Sequence, residues 1–155
     1  MIRAAIPSDA AQIAAIWNHA IRETTITFNP VEKTEGEVAG LIAQDCLVWD
    51  DGGHIMGFAR YFPFRGGEGY RFTVEHTIML QRQSHGQGGG RRLMAALCTN
   101  AKDAGKHTMF AGCSAENPGA VAFHARLGFQ EVATLREVGF KFGRWIDLVL
   151  MQKTL

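Results

Sequence analysis

The chain has 155 residues and a mass of 17.0 kDa, which fits one domain and is long enough to bury a core without a metal or disulfide staple. Hydrophobic residues make up 46% and charged residues 20%, which excludes a disordered profile. Lys+Arg number 16 against 15 Asp+Glu, a net charge of +1 that gives no basic excess for nucleic acid, and no apolar run reaches the ~18 residues of a membrane span.

Taken in chain order, Ile2–Ala5 is apolar enough for a strand, and Pro7-Ser8-Asp9 opens a helix with Asp9 or Ser8 as cap and Gln12 completing a capping box. Ile13, Ile16, Trp17, Ala20 and Ile21 follow the spacing of one buried helical face. Thr24–Pro30 is β-branched and ends in Asn-Pro, so the helix stops before it. Thr34 and Glu37 form a second capping box ahead of Val38, Leu41 and Ile42. Cys46–Trp49 and His54–Tyr61 read as a hairpin about the turn Asp50-Asp51-Gly52-Gly53, and Tyr70–Leu80 as one long alternating strand. A glycine loop follows at Ser84–Gly90, then a helix from about Gly89 to Ala104 that Gly105 ends. Thr108–Cys113 is a strand, Pro118–Leu127 a helix, and Gln130–Leu135 and Ile146–Gln152 the last strands. The expected fold class is α/β: a mixed, mostly antiparallel sheet flanked by helices, in one domain over 1–155.

Cys46, Cys98 and Cys113 are odd in number and widely spaced, which reads as buried thiols in a reducing compartment. The opening MIRAAIPSDAAQ has no apolar core of a signal peptide, so a cytoplasmic protein is expected. No H-x-x-x-H, C-x-x-C or H-E-x-x-H spacing occurs, so no metal is expected.

Function is concentrated in residues 81–94, QRQSHGQGGGRRLM. A strand, a glycine loop and a helix start aim several backbone N–H groups at one point, at the positive end of a helix dipole. Arg91 and Arg92 in the first helical turn oppose that dipole unless an anion neutralises them. Walker A is excluded because no Gly-Lys-Ser/Thr follows. The dinucleotide pattern G-x-G-x-x-G fails in both registers, since Gly86 leads to Arg91 and Gly88 to Leu93.

Gly88-Gly89-Gly90 with Arg91-Arg92-Leu93-Met94 resembles the pyrophosphate loop of the GCN5-related N-acetyltransferases, Q/R-x-x-G-x-G/A, with His85 at the Q/R position. Asn117-Pro118-Gly119-Ala120 and Phe123–Phe129 are similar to the family's N-x-x-A…Y-x-x-x-G-F segment, with His124 at the Tyr position. YRFTVEHTIML, AENPGAVAFHARLGF and LREVGFKFGRWIDLVLMQ, with WNHAIRETTITFN near the start, look like the phosphinothricin and methionine sulfoximine acetyltransferase subfamily. The resemblance covers nearly the whole chain. It implies acetyl-CoA as cosubstrate, a small amino-acid-like substrate, a homodimer and no nucleic-acid partner.

By that resemblance acetyl-CoA lies on Ile78, Met79 and Leu80, on the loop His85, Gly86, Gln87, Gly88, Gly89, Gly90 and Arg91, and on Asn117. His124 stands where the family's proton donor for the leaving thiolate stands; the bland alternative is a satisfied core histidine. Glu75, mid-strand among apolar and aromatic residues, is the candidate base, because a buried carboxylate has a raised pKa. Ideal strand parity puts Arg71, Thr73 and Glu75 on one face, so Arg71 is expected on an anionic substrate group and Glu75 near its amine. Phe28 and Phe72 complete the expected substrate contacts, and Phe140–Trp145 a rim loop or dimer contact. Two other readings stay open: the same fold acting on another small amine, and an acetyl-CoA-binding module without turnover.

Overall fold

The computed structural model describes all 155 residues. Seven strands form one sheet in the order β1-β2-β3-β4-β5-β7-β6. They are β1 (Ile2–Ala4), β2 (Cys46–Asp51), β3 (His54–Pro63), β4 (Thr73–Leu80), β5 (Thr108–Ser114), β6 (Gln130–Lys141) and β7 (Arg144–Thr154). Every neighbouring pair is antiparallel except β4 and β5, which run parallel. The helices are α1 (Ala10–Glu23), α2 (Glu35–Leu41), α3 (Gly89–Asp103) and α4 (Pro118–Arg126).

Each face of the sheet buries its own core. α1 and α2 cover one face, where Ile13, Trp17, Ile21 and Val38 pack on Val48, Ile55, Phe58 and Met79. Trp17 lies 5.1 Å from Phe58 between ring centroids. The opposite face packs Leu93, Met94, Leu97 and Ala101 of α3 on Ala59, Val74, Met109, Ala111 and Met151. The apolar periodicities at 13–21 and 93–101 therefore mark the two layers.

The start of α1 departs from the expected capping box. Asp9 makes no side-chain cap to the helix. Its carboxylate takes two bonds from the Arg3 guanidinium, at 2.8 and 2.9 Å, and one from the Ile6 N–H. A bidentate fork from a guanidinium is stronger than a single bond from a backbone N–H. Gln12 reaches across to β3, donating to the Gly53 carbonyl at 3.0 Å and accepting from the Ile55 N–H at 2.9 Å. At α2, by contrast, Thr34 Oγ1 accepts from the Glu37 N–H at 3.1 Å as expected.

The hairpin β6–β7 is longer than its alternation predicts. Both strands run on to a turn at Phe142-Gly143, with φ of 53° and 75°. Most of β6 is exposed, so no buried stripe marks its length. Its pairing with β7 slips twice, between Glu131 and Ala133 and between Leu135 and Gly139. At the second bulge the Glu137 N–H donates to Asp147 at 2.8 Å.

Candidate active site

β4 and β5 pair only at Thr73–Glu75 against Thr108–Phe110. Beyond Glu75, β4 stays on β3 while β5 stays on β7, so the two strands part and leave a gap. The phase of β4 follows from its ends: Gln81 N–H donates to the Met56 carbonyl, and Phe64 N–H donates to the Thr73 carbonyl. Odd-numbered positions of β4 thus bond β3, and even-numbered ones turn their N–H and C=O away from it. Ile78 and Leu80 offer backbone groups to the gap. Met79 does not, because its backbone faces β3 opposite Phe58 and its side chain lies in the α1–α2 core. This corrects the expectation that all three residues would serve an extended ligand alike.

The glycine loop closes the open end of the gap. Gly86 and Gly88 have φ of 78° and 75°, a region in which residues with a Cβ are strained. Gly89 is glycine for another reason: a Cβ there would overlap the ring of Trp49. At Gly90 a Cβ would press on Leu80, at 3.1 Å, and on Phe123. So the loop, the end of β4 and α4 converge there. No side chain caps α3, and none of the N–H groups of residues 86–91 donates to a protein acceptor. These donors, with the dipole behind them and the exposed Arg91 beside them, make a candidate anion cradle. The Gln87 amide is held within the loop by the Gln83 carbonyl at 2.8 Å, which leaves its backbone as its contribution to the cradle. His85 is exposed at the loop's entrance. Asn117 caps α4 by accepting from Ala120 N–H at 3.1 Å, so its amide NH₂ remains free.

Glu75 is the last residue of β4 that pairs with β5, at the apex of the gap. Its cross-strand partners are Phe62 and Phe110, and it lies on the α1–α2 face with Thr73, Thr77 and Met79. No cation or hydrogen-bond donor meets its carboxylate within the protein, and burial raises its pKa above the ordinary carboxylate range.

The next residue points the other way. His76 and His124 are both buried and face each other across the α4 side of the sheet, with Nε2 atoms 3.1 Å apart. His124 Nδ1 lies 2.7 Å from the Ala120 carbonyl and 3.5 Å from Cys113 Sγ. Both nitrogens of His124 are engaged, which matches the satisfied core histidine rather than a free proton donor. Burial lowers its pKa. No three His, Cys, Asp or Glu side chains gather where they would hold a metal ion.

Comparison with known proteins agrees with this arrangement. Residues 13–129 match the model of the Acetyltransferase (GNAT) family. The chain belongs to the GNAT acetyltransferase family. It is 36% identical to an L-methionine sulfoximine/L-methionine sulfone acetyltransferase of Salmonella typhimurium, over 99% of this chain and 94% of that protein. It is 37% identical to an L-amino acid N-acyltransferase of Escherichia coli, over 99% and 93%. An acetyltransferase from Salmonella typhimurium, solved with its cofactor acetyl-CoA, superposes with a TM-score of 0.96 at 34% identity, over all of this chain and 93% of that one.

In this GNAT protein the expected face shared by Arg71, Thr73 and Glu75 is not formed. β4 begins at Thr73, and Arg71 and Phe72 lie in the preceding turn. The Arg71 guanidinium donates to the Glu68 carbonyl at 2.9 Å and sits 4.3 Å over the Phe72 ring. Gly67, with φ of 101°, leads the chain into that turn, which breaks the parity count. Arg71 instead lines a cavity of about 800 Å³ with Arg60, Arg65 and Lys106. Glu75 is not in its wall, although its neighbour Val74 and its partner Phe62 are.

Phe28 is fixed by Gly139 of β6, where a Cβ would overlap its ring. Sequence reasoning missed the residue that holds this loop. Lys141 is 3% exposed, and its ammonium donates to the carbonyls of Thr24 at 2.6 Å, Thr27 at 2.7 Å and Ala20 at 3.5 Å. A lysine between two phenylalanines in an exposed-looking strand carries no local sign of burial. His76 was missed for a similar reason: its partner is 48 residues away.

Proposed function

We propose that the protein is an acetyl-CoA-dependent N-acetyltransferase for the amino group of a small amino-acid-like substrate, of the class of methionine sulfoximine, methionine sulfone and phosphinothricin. The observation that carries this reading is the alignment of the anion cradle, the β4–β5 gap and Glu75 at its apex. A phosphate-bearing, peptide-like arm fits the first two, since Ile78 and Leu80 offer the edge to which an extended ligand adds like a strand. Bound there, acetyl-CoA supplies an acetyl group activated as a thioester.

The chain's own residues then divide the work. Gly86–Arg91 bind the pyrophosphate, and Ile78, Leu80 and Asn117 orient the arm. Glu75, free of any protein partner and with a raised pKa, takes the proton of the incoming ammonium directly or through water. Arg71 receives an anionic group of the substrate on the cationic cavity beside Glu75's strand. Phe72, Thr73 and Phe28 close around the side chain. Direct transfer needs no covalent acyl-enzyme. Cys113 is buried and its thiol is pushed up to about 11, which makes it a poor nucleophile.

The domain boundaries, 1–155, the cytoplasmic location, the homodimer and the lack of a nucleic-acid partner belong to the same proposal. The three thiols are unpaired, and no helix is long and apolar enough to cross a membrane. The exposed side chains of Val132, Leu135, Val138, Phe140, Phe142 and Trp145 on β6–β7 support self-association. Release of free CoA, measured with acetyl-CoA and a panel of amino acids and simple amines, tests the activity. Turnover confined to amines without a carboxylate would redirect the substrate class, and none with any amine would leave a binding module.

A further inference from the structure

The His76–His124 contact fixes where the protons sit. A carbonyl oxygen only accepts, so the 2.7 Å contact between Ala120 O and His124 Nδ1 places a hydrogen on Nδ1. A neutral imidazole has one N–H, so His124 Nε2 is a lone pair. The 3.1 Å contact between the two Nε2 atoms then requires the hydrogen to be on His76. His76 Nδ1 is left as a buried acceptor without a protein partner. Both rings are held neutral: burial, and then His124, push His76 down to about 3, and burial lowers His124. The remaining neighbours are the Thr77 backbone, which acts on His76 against the effect of burial, the Cys113 thiol of β5 and the rings of Phe123 on α4 and Phe129 after it; no carboxylate or cation bonds either imidazole.

We propose that His76 is a positioning residue for acetyl transfer, whose Nε2–H locks His124 in the Nδ1–H form and so makes His124 a fixed, neutral wall of the thioester gap rather than the acid that protonates the leaving thiolate. This rests on the reading that the β4–β5 gap takes the thioester arm. Glu75 and His76 are consecutive, so β4 sends the base to one face and the lock to the other. The transfer balances without an acid. Once Glu75 has passed the ammonium proton on to solvent, the neutral amine nitrogen bonds the acetyl carbon, the C–S bond breaks with its electron pair on sulfur, and the second proton, left on the new amide nitrogen, goes to Glu75. A thiol titrates near 8.5, so the thiolate can leave as the anion and take its proton from solvent.

Histidine-selective ¹⁵N NMR on the wild-type protein reads the tautomers without any activity assay. His124 as Nδ1–H and His76 as Nε2–H, neither titrating between about pH 5.5 and 8, is the expected result. Two variants then separate positioning from packing. His76→Gln carries an amide donor where Nε2–H stood, and should keep the His124 tautomer and hold kcat within about threefold. His76→Leu removes the donor; His124 should then titrate, and kcat should fall about tenfold with KM for the amine unchanged. An Nε2–H or a titrating His124 in the wild type overturns the proposal. Equal losses in the two variants overturn it as well. Absence of acetyl transfer in the wild type, with the tautomers as stated, would instead sink the functional reading.

Discussion

The ring of Trp49 fills the space that a side chain on Gly89 would need. Trp49 belongs to β2 and Gly89 opens α3, so this contact sets how closely the helix start approaches the sheet. Gly89→Ala forces one of them to move. Overpacking of this kind costs about 1–3 kcal/mol. The variant should melt lower and bind acetyl-CoA more weakly, because the cradle is carried on the displaced helix end. Thermal unfolding and calorimetric titration check both effects. Unchanged affinity would detach the cradle from the Trp49 contact.

Backbone phase in β4 makes a residue-level prediction. The amides of Ile78 and Leu80 face the gap, whereas that of Met79 is already bonded to β3. Hydrogen exchange should therefore slow at Ile78 and Leu80 when acetyl-CoA is added, with little change at Met79. Equal protection of all three would mean general stiffening of the strand.

Glu75 should set the acid side of the rate profile. Its pKa is raised by burial, and the base form is the active one, so kcat/KM should fall as pH drops through a value above the ordinary carboxylate range. Glu75→Gln should lower kcat about 10²-fold or more. Activity of the variant should recover as pH rises, because free amine then appears without a base. A profile that is flat through the acid range in the wild type would assign the base elsewhere.

Lys141 should matter more to the substrate loop than to the cofactor. Lys141→Met keeps the stem and strands the carbonyls of Thr24 and Thr27 without their shared donor. An unsatisfied buried group costs about 1–3 kcal/mol. We expect a lower denaturation midpoint and a higher KM for the amine, with acetyl-CoA affinity preserved. Steady-state kinetics with each substrate varied in turn tells these apart.

The loop at 84–90 and the α3 face were readable in the sequence because both are local: glycines mark the turn, and 3.6-residue spacing marks the helix. Glu75 was legible as a carboxylate within a buried strand, although the side chains beside it, Phe62 and Phe110, come from the neighbouring strands. What resisted reading was decided by distant partners. Asp9 abandons its cap for Arg3, Gln12 for the β2–β3 turn, and His124 finds His76 rather than solvent. Arg71 was misplaced because parity was counted through residues that coil into a turn.

The two slips in β6 bear on how copies of the chain meet. β6 is the outer strand of the sheet and would otherwise show a long row of free amides and carbonyls, a template for open-ended polymerisation. The bulges interrupt that row, and Asp147 occupies the Glu137 amide. The opposite border, β1, is only three residues long. The bulges on one border and the shortness of the other make both poor templates for joining sheet to sheet. The proposed homodimer would then rest on the apolar side chains that stand out from the hairpin, since a face that pairs with itself closes on two molecules and stops.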